Sequence, residues 1–132
     1  MQVIKDKNET LVQIKRSSDW NPGLDFITSD DEFLQAGTWL YDKGKKLDRH
    51  RHNIVERSSN LTQECIVVLC GSLGVQVYNK SNDYICKFQL DEGDFAVFLG
   101  GGHSYEVLSD GTRVLETKNG PFLGVNLDKT RF

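Results

Sequence analysis

Apolar and polar residues alternate along much of this chain, which is the pattern of half-buried β-strands. Residues 84–90, YICKFQL, alternate with a period of two, and residues 73–78, LGVQVY, do the same. Residues 62–70, TQECIVVLC, form a strongly apolar run that predicts a strand with Glu64 and Ile66 on the same face. No segment carries a sustained helical stripe, so we predict an all-β fold.

Short polar turns separate these runs at regular intervals, among them DKGKK, NKSND, DEGD and SDG. Closely spaced strands joined by such turns predict an antiparallel sandwich or barrel. The alternation is weaker at the start, where it ends after residues 11–15. We therefore expect residues 1–132 to form one domain, in which residues 1–30 are an N-terminal arm or an extra strand.

The composition limits the expected cellular compartment and the expected classes of partner. A chain of 132 residues is long enough to bury its own core, and its formal net charge of −3 does not favour nucleic acid or an acidic membrane surface as a partner. The three cysteines lack the Cys-x-x-Cys spacing and lie in strand-like runs, which indicates reduced thiols in a cytoplasmic protein. With no signal-peptide or membrane-spanning pattern, the expected partner is a small molecule.

Two of the three histidines, His50 and His52, lie one residue apart in LDRHRH. If this segment is a strand, as we predict, both imidazoles project from one face about 7 Å apart, and the intervening arginine points the other way. Neutral imidazole is a good ligand for divalent Zn, Fe, Ni or Mn. A metal-binding pair is therefore one interpretation, and an incidental pair of surface histidines is the other.

Two longer patterns that contain the histidines resemble the two motifs of the cupin superfamily. The residues that carry the resemblance are Gly44, His50, His52, Glu64 and Gly71 in the first motif, and Gly93–His103, GDFAVFLGGGH, in the second. The chain departs from the family pattern at Leu99, where a proline is usual, and in the long gap between His52 and Glu64. The motifs span less than half of the chain.

The resemblance implies a fold, a cofactor and a ligand set. The implied fold is a cupin-like jelly-roll (double-stranded β-helix) barrel. The implied cofactor is one divalent metal ion, Fe, Mn, Ni or Zn, with open coordination positions for a substrate. Its ligands would be His50, His52, Glu64 and His103. We also expect a homodimer, because the apolar C-terminal tail could cover either one end of the barrel or a subunit interface.

Two glutamates compete for the carboxylate position. Glu56 has the usual family separation from His52, but on a continuing strand it would lie about 13 Å beyond that histidine. Glu64 begins the returning strand, where a carboxylate on an apolar face requires compensation that a metal could provide. We therefore favour Glu64 over Glu56, and a salt bridge to a basic residue remains the alternative. For His103 the alternative is a hydrogen-bonded core histidine.

Proton-transfer groups are expected on the strands after the second motif. Tyr105 shares its predicted strand face with His103, and Glu116 lies farther downstream. These two residues are the catalytic candidates. In the alternative interpretation, Tyr105 only packs and Glu116 forms an exposed ion pair with Lys118.

Three function classes follow from these expectations. The first is a metal-dependent isomerase or epimerase that acts on a sugar derivative, in which the metal polarises a carbonyl as a Lewis acid. The choice of a sugar rests on the resemblance to small carbohydrate-modifying cupins. The second is a ferrous dioxygenase, and the third is a non-catalytic module that binds a metal or small ligand.

Overall fold

The structure, a computed structural model, describes all residues from 1 to 132 and confirms the all-β prediction. Its strands are β1 (Gln2–Asp6), β2 (Glu9–Lys15), β3 (Gly23–Phe26), β4 (Gly37–Leu40), β5 (Glu64–Cys70), β6 (Ser72–Tyr78), β7 (Tyr84–Asp91), β8 (Phe95–Phe98), β9 (Gly102–Val107) and β10 (Arg113–Lys118). A 3-10 turn covers Ser17–Asp19, and the only α-helix, α1, covers Val125–Asp128. No helix is long and apolar enough to cross a membrane.

The strands form three antiparallel sheets. The larger sheet has five strands in the order β1-β2-β8-β5-β10, and the smaller sheet has three in the order β7-β6-β9. Strands β3 and β4 form a separate two-stranded hairpin. The three predicted strands β5, β6 and β7 are all present, because their alternation matches the side-chain period of a strand.

The main core lies between the larger and the smaller sheet. It is one cluster of buried side chains to which both sheets contribute, including Ile66 and Val68 from β5, Val75 and Val77 from β6 and Leu90 from β7. The alternation predicted from the sequence therefore directs one face of each strand into a shared interior.

The opposite face of the larger sheet is also covered. A second buried cluster combines Cys65, Phe95 and Val97 from this sheet with Ile27, and Leu34 packs against it. Strand β8 is consequently buried at every position, which explains its uninterrupted apolar sequence FAVF. Strand β5 thus presents one face to each cluster.

The strand predicted at His50 and His52 is wrong. Residues 41–63 contain no helix or strand, and every residue from Trp39 to Thr62 is exposed. The segment is rich in lysine and arginine and has few apolar residues, so a strand here would bury too little apolar surface to offset the entropy of ordering it. We call residues 41–63 the histidine arm.

The sheets do not close into a barrel. Strand β10 ends the larger sheet and β9 ends the smaller one, and neither has a partner on its outer side. Strand β10 is exposed at every position except its last residue, Lys118. The architecture is therefore antiparallel and all-β, with two sheets whose outer edges stay open.

We predict that Leu11→Ala lowers the free energy of unfolding by about 2–5 kcal/mol, because Leu11 is fully buried in the main core and its loss leaves a cavity. Urea unfolding measures the change. The control is Leu127→Ala, in which the wild-type side chain is 80% exposed and the expected change is below about 0.5 kcal/mol. Equal effects in the two variants would contradict the core assignment.

Candidate functional site

Glu64 is a carboxylate at the edge of the main core. It begins β5 and shares a strand face with Ile66 and Val68, as predicted, so its side chain points into the space between the sheets. The residue is only 5% exposed. A charged group in this position is unfavourable unless hydrogen-bond donors or positive charges compensate it.

The compensating donors come from the opposite sheet. His103 and Tyr105 lie on one face of β9, and Tyr105 Oη donates a hydrogen bond of 2.5 Å to Glu64 Oε1. His103 Nε2 lies 3.2 Å from the same oxygen. The structure therefore brings three of the predicted site residues together, and we call Glu64, His103 and Tyr105 the carboxylate cluster.

The glycine run before β9 allows this placement. Gly101 has a positive φ of 70°, and a Cβ there would clash with the carbonyl oxygen of Tyr78. The tight turn starts β9 beside β6, where His103 pairs with Val77. Only glycine tolerates both this φ and the close contact, so the turn into β9 requires glycine at position 101.

Aromatic packing holds the cluster in place. The ring of Phe98, from β8, lies 4.5 Å from the His103 ring and 5.8 Å from the Tyr105 ring, measured between centroids. The His103 and Tyr105 rings are 5.0 Å apart. These contacts restrict the side-chain rotamers, so the imidazole and the hydroxyl are preorganised around the carboxylate.

The environment sets the protonation states of the cluster. Burial alone would raise the pKa of Glu64, but hydrogen bonds from His103 and Tyr105 and the positive charge of Lys129 lower it below its ordinary value. Burial and the hydrogen bond to Glu64 raise the pKa of Tyr105. Glu64 is therefore ionised at neutral pH, and Tyr105 is a neutral hydrogen-bond donor.

Glu116 lies outside the cluster. It pairs with Ile66 across β10 and β5, but its side chain is 45% exposed and its Oε1 is 3.7 Å from Lys118 Nζ. The negative charge of Glu116 contributes to raising the pKa of Tyr105, behind burial and Glu64. Glu116 therefore forms an exposed ion pair with Lys118, as in the alternative interpretation of this residue.

His50 and His52 lie on the exposed histidine arm, and their ring centroids are 5.3 Å apart. His50 Nδ1 is 3.0 Å from the carbonyl oxygen of Asp48. A carbonyl can only accept, so Nδ1 is the donor of this hydrogen bond, and Nε2 is the ring nitrogen left for a metal ion. The competing carboxylate, Glu56, is also exposed on this arm.

The four predicted metal ligands thus form two pairs, Glu64 with His103 and His50 with His52. No group of three or more histidine, cysteine, aspartate or glutamate side chains is assembled to hold a metal. Each pair nevertheless suits a divalent ion. Two imidazoles that share an ion at a metal–nitrogen distance of about 2 Å have ring centres about 5 Å apart, and a mixed carboxylate and imidazole set suits Zn or Fe. The donor types fit the cofactor, but the structure does not bring the two pairs together.

The C-terminal tail reaches the site, which the sequence did not predict in detail. The Phe132 ring lies 5.2 Å from the Tyr78 ring and packs on Gly102, next to His103. Asp128 Oδ2 is 4.0 Å from Lys118 Nζ, and the charge of Lys129 acts on Glu64. The only signal in the sequence was the apolar character of the tail. It predicted that the tail covers another surface, but not which surface.

Comparisons of the chain with protein-family models, with curated proteins and with solved structures find no match. The interpretation of the carboxylate cluster therefore rests on its own geometry and on the motif resemblance described above.

We predict that Tyr105→Phe lowers the free energy of unfolding at pH 7 by about 1–3 kcal/mol, because a buried carboxylate loses a hydrogen-bond donor. The folded-state pKa of Glu64 lies below its ordinary value of 4.5, so this stabilisation is present above that value and is lost as the pH falls through the folded-state pKa. Urea unfolding at pH 7 and at pH 3 measures both effects.

The matched control is Tyr84→Phe, because Tyr84 is 56% exposed, against 37% for Tyr105, and does not contact Glu64. Its expected change is within about 0.5 kcal/mol at either pH. A loss in Tyr105→Phe that is the same at both pH values would mean that the hydroxyl stabilises the fold independently of the Glu64 charge.

Proposed function

We propose that this chain is a metal-binding protein of the cupin type that binds one divalent ion through His50, His52, Glu64 and His103. We further propose that it is an enzyme of the isomerase or epimerase class that acts on a small polar substrate such as a sugar derivative. The observation that carries the proposal is the placement of His103 Nε2 3.2 Å from Glu64 Oε1 at the open end of the core. A carboxylate and an imidazole held this close are two donors already in position.

The histidine arm can bring the other two donors to this pair. Eleven residues separate His52 from Glu64, and an extended chain of that length spans about 40 Å. The arm has no secondary structure and little burial to hold it where it lies. Its reach and freedom therefore allow His50 and His52 to meet Glu64 and His103.

The unpaired edges of the two sheets also favour movement of the histidine arm toward the carboxylate cluster. Strands β9 and β10 each have one unpaired edge, and Val107 on β9 and Val114 on β10 are 64% and 37% exposed. An arm that adds a strand to such an edge satisfies backbone groups and covers apolar side chains. A strand of the arm between the unpaired edges of β9 and β10 would close the two open sheets into the proposed jelly roll.

Each residue of the carboxylate cluster would have its own chemical role. Glu64 would supply negative charge to the ion. Tyr105 Oη, which donates to Glu64 in the structure, would donate instead to a substrate oxygen when the ion takes up the carboxylate. The ion, when bound, would supply Lewis-acid polarisation of a substrate carbonyl. Because burial and the hydrogen bond to Glu64 raise the pKa of Tyr105, its hydroxyl keeps its proton at neutral pH and would act as a hydrogen-bond donor.

We expect reconstituted wild-type protein to hold about one divalent ion per chain, and His50→Ala, His103→Ala and Glu64→Gln to bind it at least tenfold more weakly. Elemental analysis after incubation with iron, manganese, nickel or zinc gives the stoichiometry, and calorimetric titration gives the affinity. The matched control is Glu56→Gln, which we expect to bind like wild type because Glu56 is not a ligand.

Amide hydrogen exchange of the same samples tests the movement of the arm. Metal should slow exchange in residues 48–56 of wild type and leave it fast in His103→Ala, since the arm closes only onto a complete site. Metal binding that depends on His50 and His52 but not on Glu64 or His103 would refute the shared site.

We expect metal-loaded protein to catalyse exchange of solvent deuterium into a sugar or keto-acid substrate, measured by NMR, and Tyr105→Phe to reduce the rate at least tenfold with unchanged metal content. Glu116→Gln is the comparison, because the exposed ion pair predicts no loss of rate. Unchanged exchange in Tyr105→Phe would remove this tyrosine from the reaction. Oxygen consumption with iron and no deuterium exchange would favour the dioxygenase.

A further inference from the structure

The C-terminal tail is attached to both sheets beside the carboxylate cluster, and we call residues 121–132 the C-terminal strap. Its first anchor is on the larger sheet, where Asp128 Oδ2 lies 4.0 Å from Lys118 Nζ. Lys118 is the register partner of Glu64 across β10 and β5, so these two side chains leave the sheet on the same face. The first anchor therefore lies beside the carboxylate.

The second anchor is on the smaller sheet. The Phe132 ring lies 5.2 Å from the Tyr78 ring, between centroids, and packs so closely on Gly102 that a Cβ there would lie 2.8 Å from it. Gly102 directly precedes His103. Three residues separate the two anchors, and a chain from residue 128 to residue 132 spans at most about 14 Å. The strap therefore takes a short path from one sheet to the other, past Glu64 and His103.

Electrostatics also place the strap near the carboxylate. Lys129 lies between the two anchors, and its positive charge acts on Glu64. Such an interaction weakens with distance and is screened by water, so this part of the strap passes close to the carboxylate. Glu64 is only 5% exposed, although β10 beside it has an open edge. The strap thus lies over the mouth of the carboxylate cluster.

The strap is held weakly. No backbone hydrogen bond joins residues 121–132 to the rest of the protein, and those of α1 stay within the strap. None of its residues is buried, and Phe132 itself is 63% exposed. A further contact, between Lys118 Nζ and the Phe122 ring at 5.4 Å, is a cation–π contact at the surface. Exposed ion pairs and cation–π contacts contribute little stability, so the strap can open while the core stays folded.

We propose that the C-terminal strap is a lid over the carboxylate cluster, closed in this structure and opened by release of its anchors, which controls the access of small molecules to Glu64 and His103. A lid would act on any molecule that enters the site, so it is independent of the metal chemistry proposed above.

Modification of His103 by diethyl pyrocarbonate, which reacts with accessible imidazoles, measures lid opening without a metal. His50 and His52 on the exposed histidine arm are the internal reference, and peptide mass spectrometry separates the three rates. We expect Phe132→Ala to raise the His103 rate at least threefold, because one anchor is lost, and to leave the reference rates unchanged. The control is Leu127→Ala, which alters an 80% exposed side chain of the strap and should change no rate.

Gly102→Ala tests the second anchor from the opposite side. The added methyl group would displace the Phe132 ring, so the His103 rate should rise as in Phe132→Ala, and the double variant should react no faster than Phe132→Ala alone. Asp128→Asn weakens the first anchor and should also raise the His103 rate.

Amide NMR spectra check that each variant keeps the native fold. The lid is overturned if Phe132→Ala and Asp128→Asn leave His103 at the wild-type rate, if the effects of Gly102→Ala and Phe132→Ala multiply in the double variant, or if the rates of His50 and His52 rise as much as that of His103.

Discussion

The buried charge of Glu64 is the constraint on which the open end of this fold depends. Glu64 belongs to the larger sheet, and the hydrogen bonds that keep it ionised come from His103 and Tyr105 of the smaller sheet. The carboxylate is therefore tolerated only while the two sheets keep their relative position, and removal of either donor leaves a poorly solvated charge. The same contacts hold the His103 imidazole and the Tyr105 phenol in position around one carboxylate oxygen of Glu64. The hydrogen bonds that stabilise the buried charge therefore also position the groups of the candidate site.

Strand β5 separates two chemically different environments. Its alternation sends Glu64 into the space between the sheets and Cys65 to the opposite cluster, where burial and the nearby Glu64 raise the thiol pKa to about 11. One face thus supports ionic, hydrogen-bonded chemistry, and the other contributes to a buried apolar cluster. Because the larger sheet is covered on both sides, neither environment leaves this strand in contact with bulk water at its first residues.

In the proposed function, the exposed histidine arm would pair with the exposed edge of β9 or β10. An unpaired strand edge beside apolar side chains invites another strand, and the arm carries the only other histidines of the chain. The arm gains little by packing alone because it is strongly basic and contains few apolar residues. A ligand that bridges it to the carboxylate cluster would provide the missing free energy, as binding does for other segments that order upon it.

The sequence by itself determined the fold class and one half of the candidate site. Period-two alternation specified strands β5, β6 and β7, placed Glu64 on the inner face with Ile66, and placed Tyr105 on the face of His103, because side-chain direction in a strand depends only on local backbone geometry. Only the tertiary structure decided that the arm around His50 is not a strand, since this outcome depends on apolar burial that no local pattern measures. It also decided which sheets face each other, so that Tyr105 meets Glu64, and where the C-terminal tail packs. Such contacts join residues that are distant in sequence, and their energies come from packing and desolvation that exist only after the chain has folded.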